Sequence, residues 1–390
     1  MNTTPGEDGA ALRPSLADDA NLVAEIEPCA PAPAVRQAKR VLVSGLTGFL
    51  GGYLGAALLA DPARTVRGLV RRRGARRTAL RLAANIRDSG GSGEHPGLSA
   101  VEGELTEPRF GLDQRAYDEL AESVDAVIHC AATVNLLAPY ATVRRSNVLG
   151  TLELLRFAAH RKAKDVHVVS TVGIFLSPTY RGRAIAEDDP VTGWEGLRNG
   201  YSQSKWVTDT MARTVRDSGL NVNVYRPAFV GWHSENGRTG QKDLIANLLQ
   251  LSTLVGSAPR LDIQINSVPV DVVANDITRL VEFGASNSTF HVVNSRTTNF
   301  VDVAKLLELP VVDSAEWLSR IAAARPAFVD FARGVCLAHD DDGSGGAELR
   351  RLNHRDYRDD NLRGFLGGAT RRLSPMDPEY LRLLRPTPSI

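Results

Sequence analysis

From Arg40 onward the chain alternates short apolar runs with longer segments of helical periodicity. The runs fall at residues 41–44, 65–70, 98–101, 126–131, 166–170, 221–225 and 289–293, and each has the length and β-branched content of a strand. Strands that alternate with helices build a parallel sheet covered on both faces. The pattern therefore predicts an α/β fold, a Rossmann-like doubly wound parallel sheet. After Asn294 the alternation stops, and residues 301–390 read as mainly helical. Residues 1–38 are rich in Ala, Pro and acidic side chains, and Cys29-Ala30-Pro31-Ala32-Pro33 reads as an extended linker. The expected organisation is a linker or extension (1–38), a dinucleotide-binding domain (39–295, with a substrate loop at about 232–262) and a smaller, mainly helical substrate region (296–390). Residues 88–96 and 338–346, rich in Gly, Ser and Asp, read as surface loops.

The first strand breaks into Gly45-Leu46-Thr47-Gly48-Phe49-Leu50-Gly51, followed by a helical run. Gly45 lets the chain turn without a Cβ penalty, Gly48 leaves room for a pyrophosphate, and Gly51 lets the following helix pack closely and aim its N-terminus at the phosphates. The strand before and the helix behind supply the context that a dinucleotide site requires. The next strand ends in Arg71-Arg72-Arg73, with no carboxylate in sequence there to hold an adenosine ribose or repel a 2′-phosphate. Guanidinium groups suit a phosphate, so NADP(H) is the expected cofactor; a solvated basic turn is the alternative, since Arg76, Arg77 and Arg81 continue the run.

Tyr201 and Lys205 stand four apart, so a helix places them on one face. A lysine charge beside a phenol favours phenolate, which lowers the tyrosine pKa toward the working range of a proton donor. Thr171, at the end of the run 166–170, offers a second hydroxyl to the same substrate oxygen, or else caps a strand end. Gly45, Arg71, Glu104, Ala131 and Thr171 all fall at the carboxyl ends of predicted strands, where open α/β sheets bind ligands. Glu104 suits an adenine amino group or else is an exposed turn acid, Ala131 and Ala132 let backbone approach the cofactor, and Asn147 either braces the neighbouring strand or caps the helix it begins.

Composition narrows the classes. The 390 residues carry a net charge of +1, are 43% hydrophobic, and show no basic face interleaved with aromatics, which argues against nucleic-acid binding. No apolar run reaches the ~18 residues of a membrane span, and the polar, acidic start lacks a signal-peptide core, so a soluble cytoplasmic protein is expected. Three scattered cysteines and eight histidines offer neither a disulfide framework nor metal-ligand spacing.

With these residues placed, the chain resembles the extended short-chain dehydrogenase/reductases. More narrowly, it resembles the thioester reductase domains that terminate nonribosomal peptide and polyketide synthases and carboxylic acid reductases. The resemblance rests on Gly45-x-x-Gly48-x-x-Gly51, Leu105-Thr106-Glu107-Pro108-x-Phe110-Gly111-Leu112, His129-Cys130-Ala131-Ala132-x-Val134-Asn135, Gly200-Tyr201-x-Gln203-Ser204-Lys205-Trp206, Tyr225-Arg226-Pro227 and Phe290-His291-Val292-Val293-Asn294. Leu16-Ala17-Asp18-Asp19-Ala20-Asn21-Leu22 is similar to the linker that joins such domains to a carrier protein. Departures are Glu104 for Asp, Ala228 for Gly, and Asn236 and Gly240 near the substrate entrance, which leaves the acyl specificity open.

The resemblance implies NADPH-dependent reduction of a phosphopantetheine thioester to an aldehyde, or on to an alcohol. In that mechanism Thr171 and Tyr201 bind the carbonyl oxygen, Tyr201 gives the proton, and Lys205 depresses its pKa and holds the nicotinamide ribose. Thr47, Phe49, Leu50, Arg81, Leu105, Tyr225 and Pro227 complete the expected cofactor-binding set. The implied partner is an acyl or peptidyl carrier protein, met by a monomer through the arginines Arg350, Arg351, Arg355, Arg358, Arg371, Arg372, Arg382 and Arg385, or these form an ordinary mixed surface with Asp356, Asp359, Asp360 and Glu379. A nucleotide-sugar epimerase or dehydratase and a non-catalytic NADP(H) sensor remain the alternatives on this fold.

Overall fold

The seven apolar runs become seven strands of one parallel sheet in the computed structural model, which describes residues 15–28, 38–136, 138–241, 243–337, 356–367 and 376–384. They are β1 (Arg40–Ser44), β2 (Thr65–Val70), β3 (Leu98–Glu102), β4 (Ala126–His129), β5 (Asp165–Val169), β6 (Val222–Pro227) and β7 (Thr289–Val292). Their order is β7-β6-β5-β4-β1-β2-β3, every pair parallel. The order reverses between β1 and β4, so the crevice beyond their carboxyl ends is the topological switch point at which such sheets bind ligands.

Helices cover both faces. One face carries α4 (Gln114–Ser123), α6 (Gly150–Ala159) and α7 (Gly200–Thr214), burying Leu120, Leu155 and Met211. The other carries α2 (Phe49–Leu58), α3 (Ala75–Asp88) and α9 (Val270–Glu282), burying Leu54, Leu82 and Ile277. Strand β4 ends at His129, two residues before the apolar run does, and the backbone of Cys130 and Ala131 beyond it leaves no room for a Cβ on Gly45.

A second core lies beside the sheet. Trp232, Leu248 and Ile263 bury with Phe300, Trp317 and Tyr380. Segment 232–262, which contains α8 (Leu244–Leu254), is grouped by its sequence with the dinucleotide-binding domain. It packs instead with the helices that follow: α10 (Phe300–Leu306), α11 (Ser314–Ala324), α12 (Val329–Leu337) and α14 (Pro378–Leu383). Trp232 Nε1 donates to the carbonyl of Tyr380 at 3.0 Å, and the Tyr380 hydroxyl donates to the carbonyl of Trp232 at 2.7 Å. Between these elements the chain returns to the sheet. Residues Asp356–Tyr357 pair in parallel with Ala184–Ile185, and α13 (Asp360–Phe365) packs on β7. Glu187 anchors that return by accepting from the backbone N–H groups of His291, Asn361 and Leu362, although burial pushes its carboxyl up to about 7.

Part of the N-terminal stretch 1–38 folds against the core. Ser15 caps a short helix α1 (Leu16–Ala20) in a capping box with Asp18, and Leu16, Ala20, Val23 and Ile26 are buried. Residues 29–33, read as linker, and 338–346, read as a loop, lie outside the described residues.

A buried ion pair ties α7 to the sheet. Arg226 on β6 and Asp209 on α7 have side chains fully withdrawn from solvent and meet through two parallel bonds of 2.9 Å. Asp209 also accepts from Ser170 Oγ at 2.7 Å and lies 3.2 Å from Arg213. Removing one partner of such a pair costs roughly 3–5 kcal/mol, because the other charge stays buried. Arg226→Met is therefore expected to lower the unfolding free energy by that order, read as a lower urea midpoint with little change in slope. A loss below about 1 kcal/mol would mean that Arg213 alone compensates Asp209.

Candidate active site

The glycine-rich turn has the backbone its spacing predicts. Gly45 adopts φ +87°, a left-handed conformation that side chains disfavour, and a Cβ there would lie 2.7 Å from the amide nitrogen of Ala131. A Cβ on Gly51 would run into the carbonyl of Gly45, so the first turn of α2 can sit on the strand end only as glycine. Gly48 is the N-cap of α2, and no side chain caps that end. The N–H groups of Phe49, Leu50 and Gly51 thus open the helix toward the switch point, an arrangement fitted to a pyrophosphate.

The basic turn after β2 lies beside this helix. Arg71, Arg72 and Arg73 are exposed. Arg72 donates to the carbonyl of Gly111, which ends a left-handed turn made by Arg109, Phe110 and Gly111. Arg81 reaches back from α3 to Thr47 Oγ1 at 3.4 Å. Sequence reasoning missed Glu102. From the end of β3 its carboxylate accepts from Thr78 Oγ1 and, at 3.2 Å, from the amide of Arg73, and these bonds hold it below the usual carboxylate range. Glu102 thereby fixes the turn that displays the arginines. Its own signal was only that β2 and β3 end side by side, Val70 opposite Glu102.

On the other side of the switch point, Thr171 follows β5 and caps the short turn Val172–Phe175, accepting from the amide of Gly173 at 3.1 Å. Its hydroxyl also donates to the carbonyl of Pro227 at 3.4 Å. Tyr201 stands one residue inside α7, whose N-cap Asn199 accepts from the amide of Ser202 at 2.7 Å. Thr171 and Ser202 meet at Gly173, where a Cβ would lie 3.3–3.4 Å from both. Lys205, one turn further, is buried and donates from Nζ to the carbonyl of Val169 at 2.8 Å.

The electrostatics differ from the expected pairing. Burial pushes the Tyr201 phenol well above its ordinary value, and nearby Cys130 adds to that. Burial pulls the Lys205 ammonium down to about 8, opposed by Cys130 and Asp209. Desolvation dominates the tyrosine in this arrangement, where Nζ of Lys205 is engaged by a backbone carbonyl. Tyr201 is therefore a neutral phenol at neutral pH, ready to donate.

The remaining expected residues separate into two groups. Ala131 and Ala132 stand half-buried after β4, and Glu104 and Leu105 half-buried after β3. Glu104 Oε1 accepts from Thr106 Oγ1 at 3.3 Å, and Leu105 packs on Gly150. Asn147 does not begin a helix. It lies in a π-helical turn (Arg145–Leu149) and is buried, its amide accepting from Thr133 N at 2.8 Å and donating to Thr133 O and Ser204 Oγ at 3.1 and 2.9 Å. It braces the loop after β4 against α7. Tyr225 is corrected: its side chain is fully buried, stacked on Phe290, with its hydroxyl 2.7 Å from His167 Nδ1. Its phenol faces the core, and Pro227 approaches Thr171 through its carbonyl.

His129 bridges Ser44 Oγ at 2.7 Å and Thr151 Oγ1 at 2.8 Å, and burial pulls it down to about 3, so it is neutral. Of the C-terminal arginines, Arg358 pairs with Asp360 at 3.0 Å, while Arg350, Arg351, Arg355, Arg371, Arg372 and Arg385 lie outside the described residues. Among the described residues no helix is long and apolar enough to cross a membrane, and no group of acidic, His and Cys side chains has metal-site geometry.

The family model described as "Male sterility protein", a model of NAD-binding domains, matches residues 43–277. The chain is 32% identical over 323 residues to a linear gramicidin synthase of Brevibacillus parabrevis, covering 80% of this chain and 6% of that protein. It is 33% identical over 299 residues to the L-2-aminoadipate reductase of Penicillium chrysogenum, covering 71% of this chain and 21% of that one. The chain thus spans only a small part of these relatives. Among solved structures it is similar to the terminal R domain from the myxalamid PKS-NRPS biosynthetic pathway, with a TM-score of 0.84, 29% identity and 95% of each chain covered. The chain belongs to the male sterility protein family of NAD-binding domains, and a nicotinamide cofactor is the group its glycine-rich turn is built to receive.

Proposed function

We propose that this chain is an NADPH-dependent thioester reductase that releases an acyl or peptidyl group from the phosphopantetheine arm of a carrier protein as an aldehyde, or further as an alcohol. The observation that carries the proposal is the convergence of Thr171 and the Tyr201–Ser202 start of α7 around Gly173, with Lys205 one turn along, across the switch point from the glycine-rich turn. Likeness over 95% of the chain to a terminal R domain supports it.

When bound, the nicotinamide supplies a hydride to the thioester carbon. The chain supplies the rest. The hydroxyls of Thr171 and Tyr201 hold the carbonyl oxygen, where negative charge develops. The Tyr201 phenol gives that oxygen its proton, and the Lys205 ammonium stabilises the phenolate left behind. The resulting thiohemiacetal expels the carrier thiol, leaving the aldehyde; a second reduction of the aldehyde gives the alcohol. The 2′-phosphate that distinguishes NADPH is assigned to Arg71 and Arg72, displayed by the Glu102-held turn.

Incubation with an acyl-loaded carrier protein and NADPH, followed by mass spectrometry, is expected to yield aldehyde or alcohol; an unchanged thioester would overturn the proposal. Tyr201→Phe should bind cofactor normally yet lose most turnover, and near-normal turnover would remove Tyr201 from the acid role. Because Lys205 loses its proton as pH rises through about 8, kcat/KM should fall above that pH. Lys205→Arg should move the fall to higher pH, and an unmoved limb would assign it elsewhere. Arg71→Ala and Arg72→Ala should weaken NADPH binding by roughly 1.5–3 kcal/mol while sparing NADH, read as dissociation constants by fluorescence. If neither substitution narrows the gap between the two cofactors, the basic run is only a solvated turn.

A further inference from the structure

We propose that Asp19, in the segment ahead of the dinucleotide-binding core, is a positioning residue for the catalytic helix. Its side chain is buried and accepts three bonds: from the Tyr140 hydroxyl at 2.5 Å, from Arg144 Nε at 2.6 Å and from Arg144 Nη2 at 2.5 Å. A carboxylate met by a bidentate guanidinium and a phenol is a strong, geometrically defined anchor. Both partners lie on the short helix α5 (Tyr140–Arg144).

That helix carries the start of α7. The amide of Gly200 donates to the carbonyl of Ala138 at 3.2 Å. A Cβ on Gly200 would lie 2.5 Å from the carbonyl carbon of Pro139 and would also run into the amide of Tyr140. Gly200 is the residue before Tyr201. The backbone that seats the proton donor is thus the backbone whose side chains grip Asp19. A second contact points the same way. Leu16, Ala20, Val23 and Ile26 bury in the same apolar cluster as Val207, Met211 and Val215 at and beyond the middle of α7. The stretch that reads as a linker is therefore a strap across the catalytic helix, fastened at its centre by one carboxylate. A displacement of about 1 Å at a reacting group can cost on the order of a hundredfold in rate, so a seat of this kind bears on turnover.

The proposal rests on Tyr201 being the proton donor, so one readout is chosen that is independent of any substrate. The full chain is compared with Asp19→Asn, which keeps an oxygen acceptor but loses the charge-assisted pair, and with Tyr140→Phe, which keeps the Arg144 pair and serves if the first variant fails to fold. Hydrogen exchange of residues 200–205 is expected to quicken by about tenfold in Asp19→Asn and less in Tyr140→Phe, with residues 45–51 unchanged. For a short pantetheine thioester, kcat should fall by about tenfold while KM and the NADPH dissociation constant stay within about twofold. Unchanged exchange at residues 200–205 in a folded variant overturns the proposal. So does loosening that spreads equally to residues 45–51, since Asp19 would then serve stability alone. If the unmodified chain reduces no thioester, the functional reading fails, while the exchange result still decides the role of Asp19.

Discussion

The buried carboxylate of Asp209 is the point on which the catalytic half of the molecule turns. It stands one helical turn beyond Lys205, and it meets Arg226 from β6, Arg213 from its own helix and Ser170 from the end of β5. Ser170 immediately precedes Thr171, so one carboxylate sets the registers of both the threonine-bearing strand end and the tyrosine-bearing helix. A buried pair is weak evidence for added stability, since an apolar substitute of equal volume often does as well. Its value here is geometric. The Arg226 guanidinium also donates to the carbonyl of Glu187 at 3.0 Å, the residue that fastens α13 to β7. The same network therefore tells the returning C-terminal chain where to dock.

Ser170 and Arg226, buried in this network, find their partners there, and burial shapes the chemistry nearby. His129 and His167 are both pulled down to about 3 by burial, yet each keeps a hydrogen-bonding partner within the sheet region. The same desolvation pulls Lys205 down and pushes Tyr201 up, so the resting pair is a neutral phenol beside an ammonium with little proton affinity to spare. A donor with a high resting pKa is reluctant until negative charge appears on the oxygen it faces. The site thus favours proton transfer that accompanies charge development over transfer that precedes it.

The sheet was legible in the sequence because strands buried on both faces leave continuous apolar runs, and all seven were visible. The glycine turn was legible because Gly45 and Gly51 answer steric demands that no other residue meets. Tyr225 shows the limit. On a strand covered on both faces, neighbouring side chains are equally apolar in context, so the motif Tyr225-Arg226-Pro227 did not reveal that the phenol points at His167. Asp19 was hidden for a different reason. Helix α1 has five residues, too few for a period, and its partners lie more than a hundred positions away. Asp209 carried a signal that went unused: Tyr201, Lys205 and Asp209 recur every four residues along one stripe of α7. The packing of 232–262 with the C-terminal helices could not be read locally at all, since it depends on which apolar core Trp232 joins.

These restraints divide the site into halves that are held independently. On the phosphate side, Glu102 fixes the arginine turn through Thr78 and Arg73, the Arg109–Gly111 turn receives Arg72, and Glu153 in turn accepts from the amide of Arg109 at 2.6 Å. On the catalytic side, Asp209 and Asp19 hold α7 from its middle and its start. Asn147 joins the catalytic helix, through Ser204, to the loop after β4 that borders the glycine turn. Groups more than about 7–10 Å apart with no shared partner contribute additively, so perturbing one half should leave the other nearly intact. Asn147 is the exception the geometry identifies, because its amide touches both halves: loosening it would couple cofactor affinity to turnover, where the other anchors keep them apart.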